Sequence, residues 1–235
     1  SRKLPDAFLD AVVRLTATEP DAEVRAQIAS TSRRLPANQA LALVRALCQR
    51  DIDAADPCIP LLCWWTLEAL CARDRDAVIA ALEWKSAMVN EQILGRVMRR
   101  FAADGTHAGL LTCAQLLESA PAAEQRQRLM VGFEEAFKGR ALPTLPEPLV
   151  QALARHGLAS RHLRVRLREP EAIAAALKTA MDEMARMDER LLCVRLFGEV
   201  KVPESVPVLL RLVVSAPSNE LRKAALTSLL LYDNE

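Results

Sequence analysis

Residues 20–29 read Pro20-Asp21-Ala22-Glu23-Val24-Arg25-Ala26-Gln27-Ile28-Ala29. Pro20 and Asp21 end one helix and open the next. Proline cannot sit inside a helix, and an aspartate oxygen accepts from the free amides of a first turn. Val24, Ile28 and Ala29 then fall three and four apart, which places them on one helical face. Working outward, Ala7, Leu9, Val12, Val13 and Leu15 mark an amphipathic helix before this turn. Leu41, Leu43, Val44 and Leu47 mark another after it. The same spacing recurs to the end of the chain, and no long stretch alternates with period two.

The breaks between helices are Pro, Gly or acidic turns: Pro36, Asp51 to Pro57, Asp74, Asp104-Gly105, Pro121, Gly139, Gly157, Pro170, Pro203 and Pro217. They divide the chain into helical hairpins. The second helix of successive pairs is expected to begin near Asp21, Asp56, Val89, Ala122, Ala159, Met187 and Asn219. That is a period of about 33 residues, which a single bundle has no reason to keep and a stack of hairpins does. The expected fold is all-α, an α-α superhelix of about seven helical hairpins running through 1–235 as one array. Lys138 to Pro148 is the least helical stretch, because Pro143, Pro146 and Pro148 fall within six residues. An irregular connector is therefore expected over 139–148.

Composition narrows the function classes. The chain has 235 residues, 51% hydrophobic and 26% charged, so it can bury a core and is not a disordered segment. Only 7 glycines occur, too few for the turns of an all-β sandwich or barrel. The net charge of +1 disfavours a strongly basic nucleic-acid binder. Arg outnumbers Lys by 25 to 6, which reads first as genomic bias. The longest uncharged run, Gly105 to Leu117, is too short and polar to cross a bilayer. The chain starts at Ser1 rather than Met and ends straight after an apolar helical pattern, so both ends read as cut from a longer protein.

Few residues carry chemistry. The six cysteines (48, 58, 63, 71, 113 and 193) have no CxxC spacing, and most lie in apolar helical patterns, as buried free thiols do. The three histidines lack neighbours at ligand spacing, so no metal site is expected. No phosphate-binding glycine loop, GxSxG elbow or HExxH motif is present. Asp182, Glu183, Asp188 and Glu189 read as caps and dipole partners rather than an acid–base pair.

Two binding candidates remain. Trp64 and Trp65 are adjacent on a helix, so their rings point about 100° apart. One packs inward and the other lies towards a groove or a neighbouring repeat. Between Glu147 and Glu169 no acid occurs, while Arg155, Arg161, Arg164, Arg166 and Arg168 do. Arg161, Arg164 and Arg168 would share one helical face. That face is either solvated and balanced by Glu169 and Glu171, or a site for an anion or acidic partner.

The run from Pro20 to Arg25 with Ile28-Ala29 resembles the HEAT-repeat signature: an acidic turn, Val-Arg opening a second helix, then a small residue. Ser218-Asn219-Glu220-Leu221-Arg222 with Ala225 repeats it, and Asp188-Glu189-Arg190-Leu191 repeats it more loosely. Glu23 to Gln27, Leu35-Pro36, Arg50-Asp51 and Ile59 to Trp65 further resemble the HEAT segment of large bacterial proteins that join a dehydrogenase-like propeller, a HEAT array and a c-type cytochrome. The resemblance implies a non-catalytic scaffold, a spacer between redox modules and an extracytoplasmic location. Its partners would be other proteins or neighbouring domains of the same chain. The haem-attachment CxxCH is absent, so no cofactor is expected in this segment. A second resemblance is to HEAT-like alkylpurine DNA glycosylases, through Trp64, Trp65, Trp84 and the Arg161 to Arg168 cluster. Their catalytic aspartate has no match by motif, and the near-zero charge disfavours nucleic acid. A third reading is a self-contained adaptor that binds an amphipathic helix or an acidic peptide.

Overall fold

The computed structural model describes residues 3–232. Its regular structure is helical, with fourteen α-helices and no strand among the described residues. They are α1 (Asp6–Thr18), α2 (Ala22–Ser32), α3 (Ala37–Cys48), α4 (Ile59–Cys71), α5 (Arg75–Ala80), α6 (Leu94–Ala103), α7 (His107–Ser119) and α8 (Ala123–Ala136). Then follow α9 (Glu147–Arg155), α10 (Arg161–Arg166), α11 (Pro170–Met181), α12 (Met187–Val200), α13 (Val206–Ser215) and α14 (Asn219–Leu230). A π-helical turn, Val89–Ile93, leads into α6. The even-numbered helices start at or near the positions expected from the period.

The helices group into two compact units. The first holds the described residues before Phe137, together with Pro146–Leu158. The second holds Phe137–Leu145 and the described residues from Ala159 onward. Residues 141–146 are irregular, whereas Glu147 and Pro148 already form the first turn of α9. Proline fits a first turn because its missing N–H would have no helical partner there. In the second unit the turn ahead of the irregular segment is tied to Glu199 of α12. That carboxylate accepts from the Gly139 amide at 3.0 Å and pairs with Arg166 at 2.5 Å.

Helix starts follow local chemistry. Asp21, Thr106, Ser160 and Ser218 each accept a first-turn amide at the head of α2, α7, α10 and α14. Ahead of α4, Asp56 accepts the amides of Cys58 and Ile59, both at 2.8 Å. Helix ends use arginine. The last carbonyls of a helix lack internal partners and sit at the negative end of its dipole, so a cation there is favourable. In four helices the fourth residue is an arginine that reaches back to the end of the preceding helix. Arg25 of α2 donates to Glu19 O and Pro20 O, both at 2.9 Å. Arg126 of α8 donates to Leu117 O at 3.2 Å and Ala120 O at 2.6 Å. Arg190 of α12 donates to Ala180 O at 3.1 Å, and Arg222 of α14 to Ala216 O at 2.5 Å.

One of these clamps carries a buried carboxylate. Asp53 is 2% exposed and takes Arg25 through both oxygens, at 2.8 and 2.5 Å. Arg50 stands 3.8 Å from Asp53 and donates to Thr16 O and Ala17 O at the end of α1. Two arginines therefore finish one helix, and Asp53 offsets the charge of Arg25.

Alternate helices also pack together, with small residues where they cross. On α2 and α4, the Ser32 and Thr66 hydroxyls lie 2.8 Å apart. On α12 and α14, the Ser228 hydroxyl donates to Val194 O at 2.9 Å, beside Gly198. The tightest crossing is α6 on α8, where a Cβ built on Gly132 would fall 2.0 Å from Gly95 O. The core of the first unit includes Leu43, Ile59, Met98, Phe101 and Phe133, all 2% exposed or less. That of the second includes Ala176, Val194, Phe197, Leu209 and Leu221. Tyr232, the only tyrosine of the chain, closes this second core. Its hydroxyl donates to Phe197 O or Val202 O and lies 2.9 Å from the Ser205 hydroxyl.

Four variants have expected outcomes in urea denaturation. Gly132→Ala should cost about 3 kcal/mol, because the obstructing atom is backbone and cannot turn aside. Gly105→Ala, left-handed but in open space, should cost only about 1 kcal/mol. Asp53→Ala should cost about 3–5 kcal/mol by stranding Arg25, and the double change Asp53→Leu with Arg25→Met should recover most of it.

Candidate binding surfaces

The tryptophan pair lies mid-way along α4. Trp64 is 8% exposed and packs into the core, whereas Trp65 is 42% exposed. The divergence expected of adjacent helical residues is realised. Trp65 borders a hollow of about 190 Å³ whose other walls are Ser30, Arg33, Arg34 and Leu62. Arg33 and Arg34 follow the last residue of α2 in a tight turn. The Arg34 amide donates to Thr31 O and the Leu35 amide to Ser32 O, both at 3.0 Å. Leu35-Pro36 then turns the chain into α3, because the residue before a proline is held out of the helical region. The sequence predicts one outward tryptophan of the pair without saying which, and gives no notice of the two arginines. Their only signal is that consecutive arginines follow a helix end and precede Leu-Pro.

The arginines between 155 and 168 are divided between the two units. Arg155 belongs to the first unit, and Arg161, Arg164 and Arg168 to the second. Arg155 donates to Glu118 at 2.5 Å, and His156 lies 3.4 Å from the same carboxylate. Arg161 is the exposed first residue of α10. Arg164 donates to Glu169 at 2.6 Å and stands 3.8 Å from Glu171. The expected alignment of Arg161, Arg164 and Arg168 is corrected by the backbone. The helix ends at Arg166, and Arg168 is left-handed with φ 59°. Glu169 precedes Pro170, which disfavours helical backbone at Glu169 and so opposes a continuous helix through this junction. Arg168 instead donates to Val200 O at 2.9 Å, at the end of α12. Most of this basic run is thus matched by carboxylates or carbonyls.

Five of the six cysteines are buried, and Cys58 is exposed. Burial pushes the Cys71 thiol up to about 11 and the Cys113 thiol up to about 12. Cys63 is raised by its hydrogen bond with Cys48 and by burial. Protonated buried thiols are poor nucleophiles. Among the described residues no group of three or more His, Cys, Asp or Glu is arranged to hold a metal ion. No helix among them is long and apolar enough to cross a membrane. The chain matches no known family model, and no curated protein or solved structure is significantly similar to it.

Thiol chemistry gives a direct check. In native protein at pH 8, a disulfide reagent should titrate Cys58 rapidly and the other five cysteines only after unfolding. Stability should also fall at high pH. Cys71 and Cys113 hold their protons in the folded state up to about 11 and about 12, against an ordinary 9.0. The unfolded chain therefore releases protons first, and the stabilisation present below pH 9 is lost as pH rises through that window. Cys71→Ala should flatten the fall in Tm between pH 9 and 11.

Proposed function

We propose that the chain is a non-catalytic α-solenoid of HEAT type, a scaffold that holds a partner protein or neighbouring domains of its own chain. The observation that supports this is the recurrence of one device at one register. The fourth residue of α2, α8, α12 and α14 is an arginine that ties its helix to the end of the helix before it. A repeated fastening at a repeated position is what a stack of similar hairpins needs and what a unique bundle does not. Small residues where alternate helices cross agree with the same stacking.

The catalytic alternative has less support. A glycosylase-type nucleic-acid enzyme needs an available aspartate and a basic groove. Asp53 is bound through both oxygens by Arg25, and much of the Arg155 to Arg168 run is neutralised locally. The scaffold reading takes in both a self-contained adaptor and a spacer between redox modules.

The test is hydroxyl-radical footprinting of the native product, purified with its associated proteins or domains and again after they are removed by salt or limited proteolysis. Exposed side chains on the even-numbered helices, such as Trp65 and Val131, should be protected in the first state and labelled in the second. Equal labelling in both states overturns the scaffold reading, as does turnover of a damaged-base DNA substrate. An intact mass far above 25.9 kDa with a haem Soret band selects the spacer, and a haem-free product near that mass selects the adaptor.

A further inference from the structure

The hollow beside Trp65 combines three properties. It offers an aromatic surface: Trp65 is 42% exposed, and Leu62 forms the adjoining apolar wall. It offers positive charge: Arg33 and Arg34 are both exposed, and neither makes an ion pair with a described residue. Arg155, Arg164 and Arg166, by contrast, each have a carboxylate at 2.5–2.6 Å. Finally, the hollow is small. About 190 Å³ is below the roughly 300–1,000 Å³ of small-molecule and cofactor sites, and suits one or two side chains.

Each property selects against other ligands. A guanidinium takes a carboxylate through two parallel hydrogen bonds, and two adjacent guanidiniums can take two. An exposed indole face takes an apolar or aromatic side chain. Among the described residues the cation–ring contact present is Arg140 over Phe137, so no guanidinium stacks on the Trp65 ring. A nucleic-acid strand needs a longer track of cations, because its affinity grows with the number of phosphates neutralised. Here only two adjacent arginines line the hollow, and the chain carries a net charge of only +1.

We infer that this hollow docks an acidic segment of a partner protein, with carboxylates on Arg33 and Arg34 and an adjacent apolar side chain against Trp65. The inference rests on the scaffold reading above and deepens it by naming a site and the chemistry of its partner. The arginines supply charge and direction, and the indole supplies the apolar anchor of the kind that dominates interface energetics.

The experiment is selection of a random twelve-residue peptide phage library on the full chain, followed by fluorescence-anisotropy titration of the recovered peptides. Recovered peptides should be enriched in Asp and Glu beside Leu, Phe or Trp. Their affinity should fall at least tenfold in Arg33→Glu/Arg34→Glu and in Trp65→Ala, and should weaken as salt rises. Arg33→Lys/Arg34→Lys should retain part of the binding. All three sites are exposed, and unchanged circular dichroism and Tm establish that the variants are folded. Absence of enrichment, enrichment without acidic residues, or equal binding by wild type and the charge-reversed variant overturns the inference. So does a twelve-nucleotide single strand that binds more tightly than every peptide and is lost in the same variants. Footprints on the native product that are unchanged by Arg33→Glu/Arg34→Glu sink the hollow and leave the scaffold standing. No footprint at all removes both.

Discussion

The ends of the helices govern this architecture. A helix of ten to fourteen residues leaves a large share of its carbonyls without a partner, and a chain of many short helices meets that problem repeatedly. Here an arginine in the first turn of the following helix answers it four times. The guanidinium is long enough to reach back and has several donors, so one side chain can serve two carbonyls. It also places a positive charge at the negative end of the preceding dipole. The cost is burial of charge. At Arg25 that cost is offset by Asp53, which is held so firmly between two arginines that it is unavailable for chemistry.

With the helix ends fastened, the distance between alternate helices becomes the next constraint. Gly95 against Gly132 and Gly198 against Ser228 bring backbones close enough that a methyl group has no room. Larger residues fill the space to either side, as Phe101, Phe133 and Phe197 do. Along a helix, adjacent residues point about 100° apart. Trp64 is turned into the core, and Trp65 on the next position is turned out.

The arginines show why charge in a sequence is a weak guide to a site. The run from 155 to 168 is the strongest local charge asymmetry of the chain, yet its members mostly meet carboxylates or carbonyls contributed from elsewhere. Glu118 lies on α7, and Glu199 lies on α12. Arg33 and Arg34 attract less notice in the sequence and remain without ion-pair partners among the described residues. Whether a cation is available depends on acids distant in sequence, which spacing along the chain does not reveal.

The sequence alone determined the helical class, the positions of most helix starts, and the outward turn of one tryptophan. These follow from short-range physics: apolar residues three and four apart, capping oxygens, prolines in first turns, and a 100° step per residue. The irregular stretch after residue 139 was legible for the same reason. Only the tertiary structure decided that Arg25 meets Asp53, that Arg168 reaches the carbonyl of Val200, and that Trp65 shares a hollow with Arg33 and Arg34. Those facts depend on which carbonyls, carboxylates and backbones arrive from residues some thirty positions away. The helical period announces that such meetings occur, but not which side chains take part.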